Sequence, residues 1–292
     1  MNIIVDNAGQ TCNRFFAYLY YLKRAIANAE KLKVLVPDIT IEDYPYLQKN
    51  EYVSFPLYAA RIANRVGLKR YLKILAAVKR IFLNQHVEFV YPIVRYLSFG
   101  KLNLVVGHES WYIDENYSSI RLCLQNLFRP RKEIQEKVDT IYSQLPVDAI
   151  RIGVHIRWGD YKYWRNGQYY FTEEEYLHYM KAIVDGFPST QKIVFYISTN
   201  GNIVIDKFKE LHCILIQGMS VSEDLYALSK CRYIIGPLSS FSTWVSVVYN
   251  IPLYCIENKD GYKAMKLSQF SPAKNFQKKE NGYIFPRGEY AE

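Results

Sequence analysis

The sequence predicts an α/β protein with two open, mostly parallel sheets that face one cleft. Short apolar segments alternate with helical stretches in both halves of the chain. Its 292 residues exceed the usual size of one domain, about 100–150 residues. Pro146 separates the two alternating halves. We therefore predict an α/β domain with a basic helical insertion at residues 1–145, a second α/β domain at 146–257 and a C-terminal extension at 258–292.

The first half is predicted to open with a βαβ unit, because an apolar strand is followed by a helical stretch and a second β-rich run. A basic segment and further short apolar runs follow it. The predicted elements are strands at residues 2–5, 32–36, 87–91 and 102–106, a helix at 13–29 and two helices within 118–145.

The second half begins with the strongest predicted strand, residues 149–156. A Tyr-rich loop follows it, and then Thr172 precedes three consecutive glutamates, which is typical of a helix start. The remaining predicted elements are strands at 193–197, 213–216, 233–235 and 253–255, and helices at 204–210, 222–230 and 242–249.

The cysteines and the amino terminus indicate the compartment. Five scattered cysteines without a C-x-x-C pair encode neither a disulfide framework nor a zinc knuckle, which favours a reducing compartment. The first residues lack the basic and apolar regions of a secretion signal. The long uncharged stretch at 233–256 contains Pro237, Pro252 and several polar residues, so we interpret it as a strand, a turn and a helix. We expect a cytoplasmic protein.

The net charge of +9 is concentrated in residues 52–87, which hold no acidic residue. Apolar residues recur there at helical spacing, so the segment predicts basic amphipathic helices. One interpretation is attraction to an anionic lipid surface, at the inner face of a membrane, or to an anionic substrate. The other is a solvated helical face without such a role. The basic residues are Arg61, Arg65, Lys69, Arg70, Lys73, Lys79 and Arg80.

Several familiar sites are absent from the sequence. It contains no G-x-G-x-x-G, no P-loop, no H-E-x-x-H and no D-x-D motif. A reaction that releases a diphosphate would therefore have to neutralise the leaving group with arginines and helix N-termini.

The first motif that could supply this charge ends the strand at 149–156 and reads His155-Ile156-Arg157-Trp158-Gly159-Asp160. On an extended chain His155 and Arg157 share one face and point to the carboxyl edge of the sheet, where open α/β folds bind ligands. Arginine can hold phosphate oxygens bidentately. The alternative is a structural ion pair between Arg157 and Asp160.

The second motif runs from Asp224, through a strand, to Gly236-Pro237 and a serine cluster that contains Ser239 and Ser240. A strand, a turn and a helix start present backbone N–H groups and hydroxyls to an anion. An ordinary serine N-cap is the alternative.

Together these motifs resemble glycosyltransferase family 11, the α-1,2-fucosyltransferases. That family carries H-x-R-R-x-D at the first strand of its donor domain, where this chain has Trp158 in place of the second arginine. Its later S-x-S-S-F-S-W-W block resembles residues 237–244, and its G-G-L-G-N-Q-x-F opening is matched more loosely by residues 8–16.

The resemblance implies a GT-B fold and inverting, metal-independent transfer of fucose from GDP-fucose to a glycan acceptor. The acceptor group it implies is the 2-OH of a galactoside in a bacterial surface glycan. It also implies roles for individual residues: Arg157 on the diphosphate, His155 near the nucleoside, Asp224 on the guanine edge, Ser239, Ser240 and Phe241 around the phosphates, Ser198 and Thr199 in the donor site, and Gly9, Asn13 and Arg14 on the acceptor side.

The acceptor hydroxyl must lose a proton to a base within hydrogen-bond reach. Asp160 is the first candidate and Glu109, which follows a predicted strand, is the second. Two alternatives remain at this point. One is a transferase of another GDP-sugar or linkage, and the other is a basic nucleic-acid- or phosphate-binding protein, which 27 tyrosines and the positive charge would suit.

Overall fold

The computed structural model divides the chain into two compact units, each with its own sheet. One unit comprises Met1–Ile113 with Leu122–Arg129, and the other comprises Asp114–Arg121 with Pro130–Glu292. The residues that the structure describes are 2–4, 10–28, 32–34, 39–54, 61–62, 65–67, 70, 73, 97–99, 102–105, 117–273, 275–278 and 284–287.

The sheet of the first unit has the strand order β3-β2-β1-β5-β4. Its first four strands in that order run parallel, and β4 pairs with β5 in the antiparallel direction. The βαβ opening is confirmed, while the predicted strand at 87–91 lies outside the described residues. The elements are β1 (Asn2–Ile4), α1 (Thr11–Asn28), β2 (Leu32–Val34), α2 (Pro45–Gln48), β3 (Val53–Ser54), β4 (Leu97–Phe99), β5 (Leu102–Val105) and α3 (Arg121–Leu127).

An aromatic cluster packs α1 into the first unit. The ring of Phe15 lies 5.7 Å from the ring of Tyr44 and 5.1 Å from that of Phe128. All three side chains are buried. Aromatic pairs at these separations add to the stabilisation from buried area.

Part of the basic segment is described: it begins with β3 and contains short helical pieces further on. Arg61, Arg65, Arg70 and Lys73 all lie in helical backbone and expose their side chains. Arg61 forms an ion pair with Glu42 at 3.2 Å. Lys69, Lys79 and Arg80 lie outside the described residues. No helix in the described ranges is long and apolar enough to cross a membrane.

The sheet of the second unit has the order β11-β10-β9-β6-β7-β8, and only β11 is antiparallel to its neighbour. A separate antiparallel pair, β12 and β13, follows it. The elements are α4 (Lys132–Ser143), β6 (Ile150–Ile156), α5 (Glu173–Asp185), β7 (Ile193–Thr199), β8 (Cys213–Leu215), α6 (Val221–Ser229), β9 (Tyr233–Pro237), α7 (Ser240–Tyr249), β10 (Pro252–Ile256), β11 (Ser271–Pro272), β12 (Asn275–Lys278) and β13 (Ile284–Arg287).

The central strand β6 explains why the second half has the clearest strand pattern. Ile152, Val154 and Ile156 are fully buried, as expected for a parallel strand with helices on both faces. The predicted helix start at Thr172 is also confirmed. The Thr172 side chain accepts a hydrogen bond from the Glu175 N–H, and the Glu175 carboxylate accepts one from the Thr172 N–H.

The predicted helix at 204–210 is wrong in kind and in extent. The chain forms only a short 3-10 turn at Ile205–Phe208. Glu173 accepts the Val204 N–H at 3.0 Å and pairs with Lys207. These contacts anchor the segment to the start of α5, and they override a helical pattern only seven residues long.

Helix α4 lies before the predicted boundary at residue 146, but it belongs to the second unit. The Tyr142 hydroxyl donates to the Ala227 carbonyl of α6 at 2.9 Å. Lys137 pairs with Glu223 at 2.7 Å. The second unit therefore takes its first helix from the segment that the sequence assigned to the first domain.

Candidate functional site

The candidate site lies at the carboxyl edge of the second sheet, where β6, β7 and β9 end. In open parallel sheets this edge is the usual place for ligands. His155 near the end of β6 is in register with Ser198 of β7. Residues in register on parallel neighbours point to the same face. Two predicted donor-site residues are thereby brought side by side.

His155 is buried, with 4% of its surface exposed, and its ring stacks against Phe241 at 4.9 Å and 35°. Burial, with a smaller effect of the charge on Arg157, lowers the pKa of His155 to about 3. The imidazole is therefore neutral at physiological pH. Among the described residues, its buried Nδ1 has no hydrogen-bond partner.

The neighbouring strand can approach His155 closely because residue 236 is a glycine. A Cβ at Gly236 would lie 2.9 Å from the His155 carbonyl oxygen and 3.0 Å from its Cβ. These contacts are shorter than packed atoms tolerate. Gly236 and Pro237 are the last residues of β9 and not the turn that the sequence predicts, so the strand itself carries the serine cluster next to the end of β6.

Arg157 forms an ion pair with Asp160, with 2.7 Å between Nη2 and Oδ1. The structural ion pair considered as an alternative is thus present. The Arg157 side chain is 15% exposed and that of Asp160 is 54% exposed. A guanidinium presents five N–H donors in a planar fork, a geometry that suits the binding of an anion.

Ser239 is the N-cap of α7, and its hydroxyl accepts the Phe241 N–H at 3.2 Å. The ordinary serine N-cap, which was the alternative interpretation of this motif, is therefore present. The same helix start also directs free backbone N–H groups of its first turn towards the carboxyl edge, where they favour an anion. Ser240 and Phe241 are the first two residues of the helix and are half-buried.

Asp224 lies in the first turns of α6, and its carboxylate binds two residues of β7. The Tyr196 hydroxyl donates to Oδ1 at 2.6 Å, and the Ser198 hydroxyl also bonds to the carboxylate. Burial raises the pKa of Asp224 to about 6, and the two hydroxyl hydrogen bonds oppose this rise. Sequence reasoning missed Tyr196, although its spacing of two residues from Ser198 places both on one face of the strand.

The loops after β6 and β7 are tied together at Trp158. Its backbone N–H donates to the Asn200 side chain at 2.7 Å, and its indole N–H donates to the Phe171 carbonyl at 2.7 Å. Thr199 accepts the Gly201 N–H at 3.0 Å, so its hydroxyl closes the turn. The predicted donor-site residue Thr199 therefore also has a local structural role.

The predicted acceptor-side residues belong to the first unit. Asn13 and Arg14 lie in the first turn of α1 and are half-buried. Gly9 and the second candidate base, Glu109, lie outside the described residues. Within the described ranges, no three His, Cys, Asp or Glu side chains cluster as metal ligands would.

No protein-family model matches the chain, and a search of curated proteins also finds no match. Solved structures do match. Fucosyltransferase NodZ from Bradyrhizobium is similar at 16% identity and a TM-score of 0.51, over 88% of this chain and 98% of NodZ. FUT1 of Arabidopsis thaliana, in complex with GDP, is similar at 10% identity and a TM-score of 0.53, over 94% and 74% of the two chains.

POFUT1 in complex with GDP is similar at 11% identity and a TM-score of 0.51, over 84% of this chain and 92% of POFUT1. At these identities the likeness concerns the fold. The predicted α/β class with two open sheets is confirmed, and the fold is that of known fucosyltransferases.

Proposed function

We propose that the chain is a fucosyltransferase that takes fucose from GDP-fucose. The observation that carries the proposal is the convergence of three groups at one sheet edge: the Arg157 guanidinium, the N-terminus of α7 after Ser239, and the stacked rings of His155 and Phe241. The FUT1 and POFUT1 structures that are similar to this chain are complexes with GDP. The NodZ structure soaked with GDP-fucose is similar at a TM-score of 0.52.

The arrangement suits the chemistry of glycosyl transfer. The transition state resembles an oxocarbenium ion while negative charge grows on the departing diphosphate. In our proposal Arg157 and the N–H groups of α7 stabilise that charge without a metal ion. Asp224 accepts from the guanine edge, and Ser198, Thr199 and Ser240 complete the donor site.

The reaction that we propose inverts the anomeric carbon. The acceptor hydroxyl attacks as the bond to the diphosphate breaks, and its proton passes to a carboxylate. Asp160 is our first candidate for this base, because its side chain is half-exposed beside Arg157. Glu109 is the second candidate.

The finer assignment rests on the family resemblance. It comprises an α-1,2 linkage to a galactoside 2-OH, a GT-B arrangement of the two units, and an acceptor side lined by Gly9, Asn13 and Arg14. The linkage is tested by comparing the reaction product with fucosylated standards of defined linkage.

The donor is tested by a thermal-shift panel of GDP, UDP, CMP, GDP-fucose and a short RNA. A ligand at about 100 times its Kd stabilises the folded state by about 2.7 kcal/mol. We expect GDP and GDP-fucose to raise the melting temperature, and Arg157→Ala to reduce the shift. Equal shifts with all nucleotides, or a shift with RNA alone, would contradict the proposal.

We also propose that the basic segment at residues 52–87 holds the enzyme at the inner face of a membrane. Exposed Arg65, Arg70 and Lys73 support this, because each basic residue near an anionic surface contributes about 1 kcal/mol. Their replacement by Gln should reduce cosedimentation with anionic vesicles. The matched control replaces the exposed lysines Lys132, Lys192 and Lys209. Equal losses in both variants, or a parent that does not cosediment, would reject this role.

A further inference from the structure

Tyr161 lies between the two anion-binding elements of the candidate site. Its hydroxyl donates to the carbonyl of Leu238 at 2.5 Å, and Leu238 directly precedes Ser239, the N-cap of α7. The guanidinium carbon of Arg157 lies over the Tyr161 ring at 5.4 Å. One side chain therefore contacts the arginine through its ring and the start of α7 through its hydroxyl.

We propose that Tyr161 is a positioning residue that fixes Arg157 relative to the N-terminus of α7, so that one diphosphate meets both. This inference rests on the proposed function, because it assigns the two elements to a single phosphate-bearing ligand. Tyr161 takes no part in the chemistry. It determines whether the site is formed before the ligand arrives.

The Tyr161 ring also contacts a second aromatic ring, that of Trp164. The Trp164 ring lies 4.8 Å away at 30°, and the Arg165 guanidinium carbon lies 4.5 Å from the Trp164 ring. Arg165 and Asn166 adopt positive φ angles of 49° and 56°. Non-glycine residues keep such angles only where their surroundings enforce them. The turn thus holds the stack on which Arg157 rests.

The hydroxyl of Tyr161 is suited to a structural bond rather than to proton transfer. The residue is 8% exposed. Burial raises its pKa to about 12, so the proton stays on the oxygen. The bond joins residues that are 77 positions apart in sequence. Without it, the loop after β6 and the start of α7 lose this direct contact, and any ordering that is left to the ligand weakens affinity.

The test compares Tyr161→Phe with a matched control, Tyr179→Phe. Tyr179 is also buried, and its hydroxyl donates to the Asn258 carbonyl at 2.7 Å. Both variants lose a tyrosine-to-carbonyl bond in the same unit, and melting temperatures check that each variant is folded. Calorimetry should show that only Tyr161→Phe binds GDP and inorganic pyrophosphate more weakly, by about tenfold, a loss that one hydrogen bond can account for.

A double-mutant cycle asks whether Tyr161 acts through Arg157. In the parent and in the Arg157→Ala background, Tyr161→Phe changes the logarithm of the Kd for pyrophosphate. We expect the change in the Arg157→Ala background to be less than half of the change in the parent. An undiminished effect, or a Tyr161→Phe variant that binds as tightly as Tyr179→Phe, would overturn the positioning role and leave the proposed function standing.

The two proposals fail in different ways. A parent that binds pyrophosphate but not GDP would refute the proposed donor, and the cycle on pyrophosphate would still decide the role of Tyr161. A parent that binds neither ligand would overturn both proposals.

Discussion

The two ends of the candidate site handle charge in opposite ways. At one end, Arg157 pairs with an Asp160 side chain that is half-exposed to solvent. At the other, Asp224 is half-buried and its carboxylate accepts hydrogen bonds from the hydroxyls of Tyr196 and Ser198. The first is a charged pair at the rim, and the second is a single acid held by two neutral hydroxyls.

The difference indicates which end should be tolerant and which should be sensitive. A solvent-exposed ion pair contributes only about 0–1 kcal/mol, so Arg157 can exchange Asp160 for a ligand at little cost. A buried carboxylate depends on its partners to remain ionised. We therefore expect phosphate binding to depend on the charge of Arg157. We expect selectivity for guanine to depend on whether Asp224 is ionised.

The largest effect should come from Arg157→Ala, which removes the charge at the rim. Loss of one group that stabilises transition-state charge lowers turnover by about 100- to 1,000-fold. Lysine should rescue poorly, because it lacks the bidentate geometry of arginine. Steady-state assays measure the loss, and melting temperatures check that the variant is folded.

Arg232→Ala is the matched control for this change. Arg232 is exposed and precedes β9, at the opposite edge of the same sheet. It should keep the activity of the parent. A folded Arg157→Ala variant with near-parent turnover would remove Arg157 from the mechanism.

The next largest effect should come from Asp224→Asn, which acts on the buried end. An acid can accept from both N1–H and the exocyclic amine of guanine, and an amide can accept only on one side. GDP binding should weaken by about 10- to 100-fold, as expected for hydrogen bonds to a charged group. Pyrophosphate binding, measured by calorimetry, should stay unchanged. Equal losses for both ligands would mean that Asp224 is structural.

Acidification should produce a smaller change at the same end. Because burial raises the pKa of Asp224 to about 6, most of these carboxyl groups gain a proton as the pH falls from about 7 to about 5. The protonated group loses an acceptor, so GDP affinity should fall by about tenfold over this range. The Asp224→Asn variant has no carboxyl group at this position, so the pH dependence that remains in it comes from titration of the GDP phosphates. Subtracting it from the pH dependence of the parent leaves the contribution of Asp224.

Tyr196→Phe sharpens this measurement. The Tyr196 hydroxyl bond opposes the rise in the pKa of Asp224, so its removal should move the midpoint to higher pH. If parent and Asp224→Asn lose GDP affinity in parallel, the carboxyl group does not titrate against the ligand.

The smallest expected effect is that of EDTA, which should leave transfer unchanged. In our proposal the charge on the leaving group is stabilised by Arg157 and the N-terminus of α7 alone. A magnesium-dependent transferase assayed in the same buffer serves as the positive control. Activity that is lost in EDTA and returns with magnesium or manganese would contradict this proposal. It would mean that a metal ion also stabilises the leaving group at the Arg157 end of the site.

The sequence predicted the fold best where an element carries its own signal. The apolar run of β6 and the Thr172 cap of α5 need no distant partner to be recognised. The two-residue strand β11 exists because it pairs with β10, and β4 is defined only by its antiparallel pairing with β5. Such short strands have too few residues for a periodic pattern.

The site shows the same division. Arg157, Asp224 and Ser239 stand in recognisable motifs, and the structure places all three at or near one sheet edge. Tyr161 and Tyr196 carry no such signal among 27 tyrosines. Their importance comes from what their hydroxyls contact in other elements, which a linear pattern does not encode.

Trp158, which stands where the family motif has its second arginine, packs against Gly201 in the loop after β7. An added Cβ at Gly201 would lie 2.7 Å from the Trp158 ring, so the small residue and the large one fit each other. A side chain at position 201 would therefore require a smaller residue at position 158. Replacing Trp158 by arginine alone would restore the letters of the motif but remove the ring that packs over Gly201. Each of the two positions thus limits which side chains the other can accept.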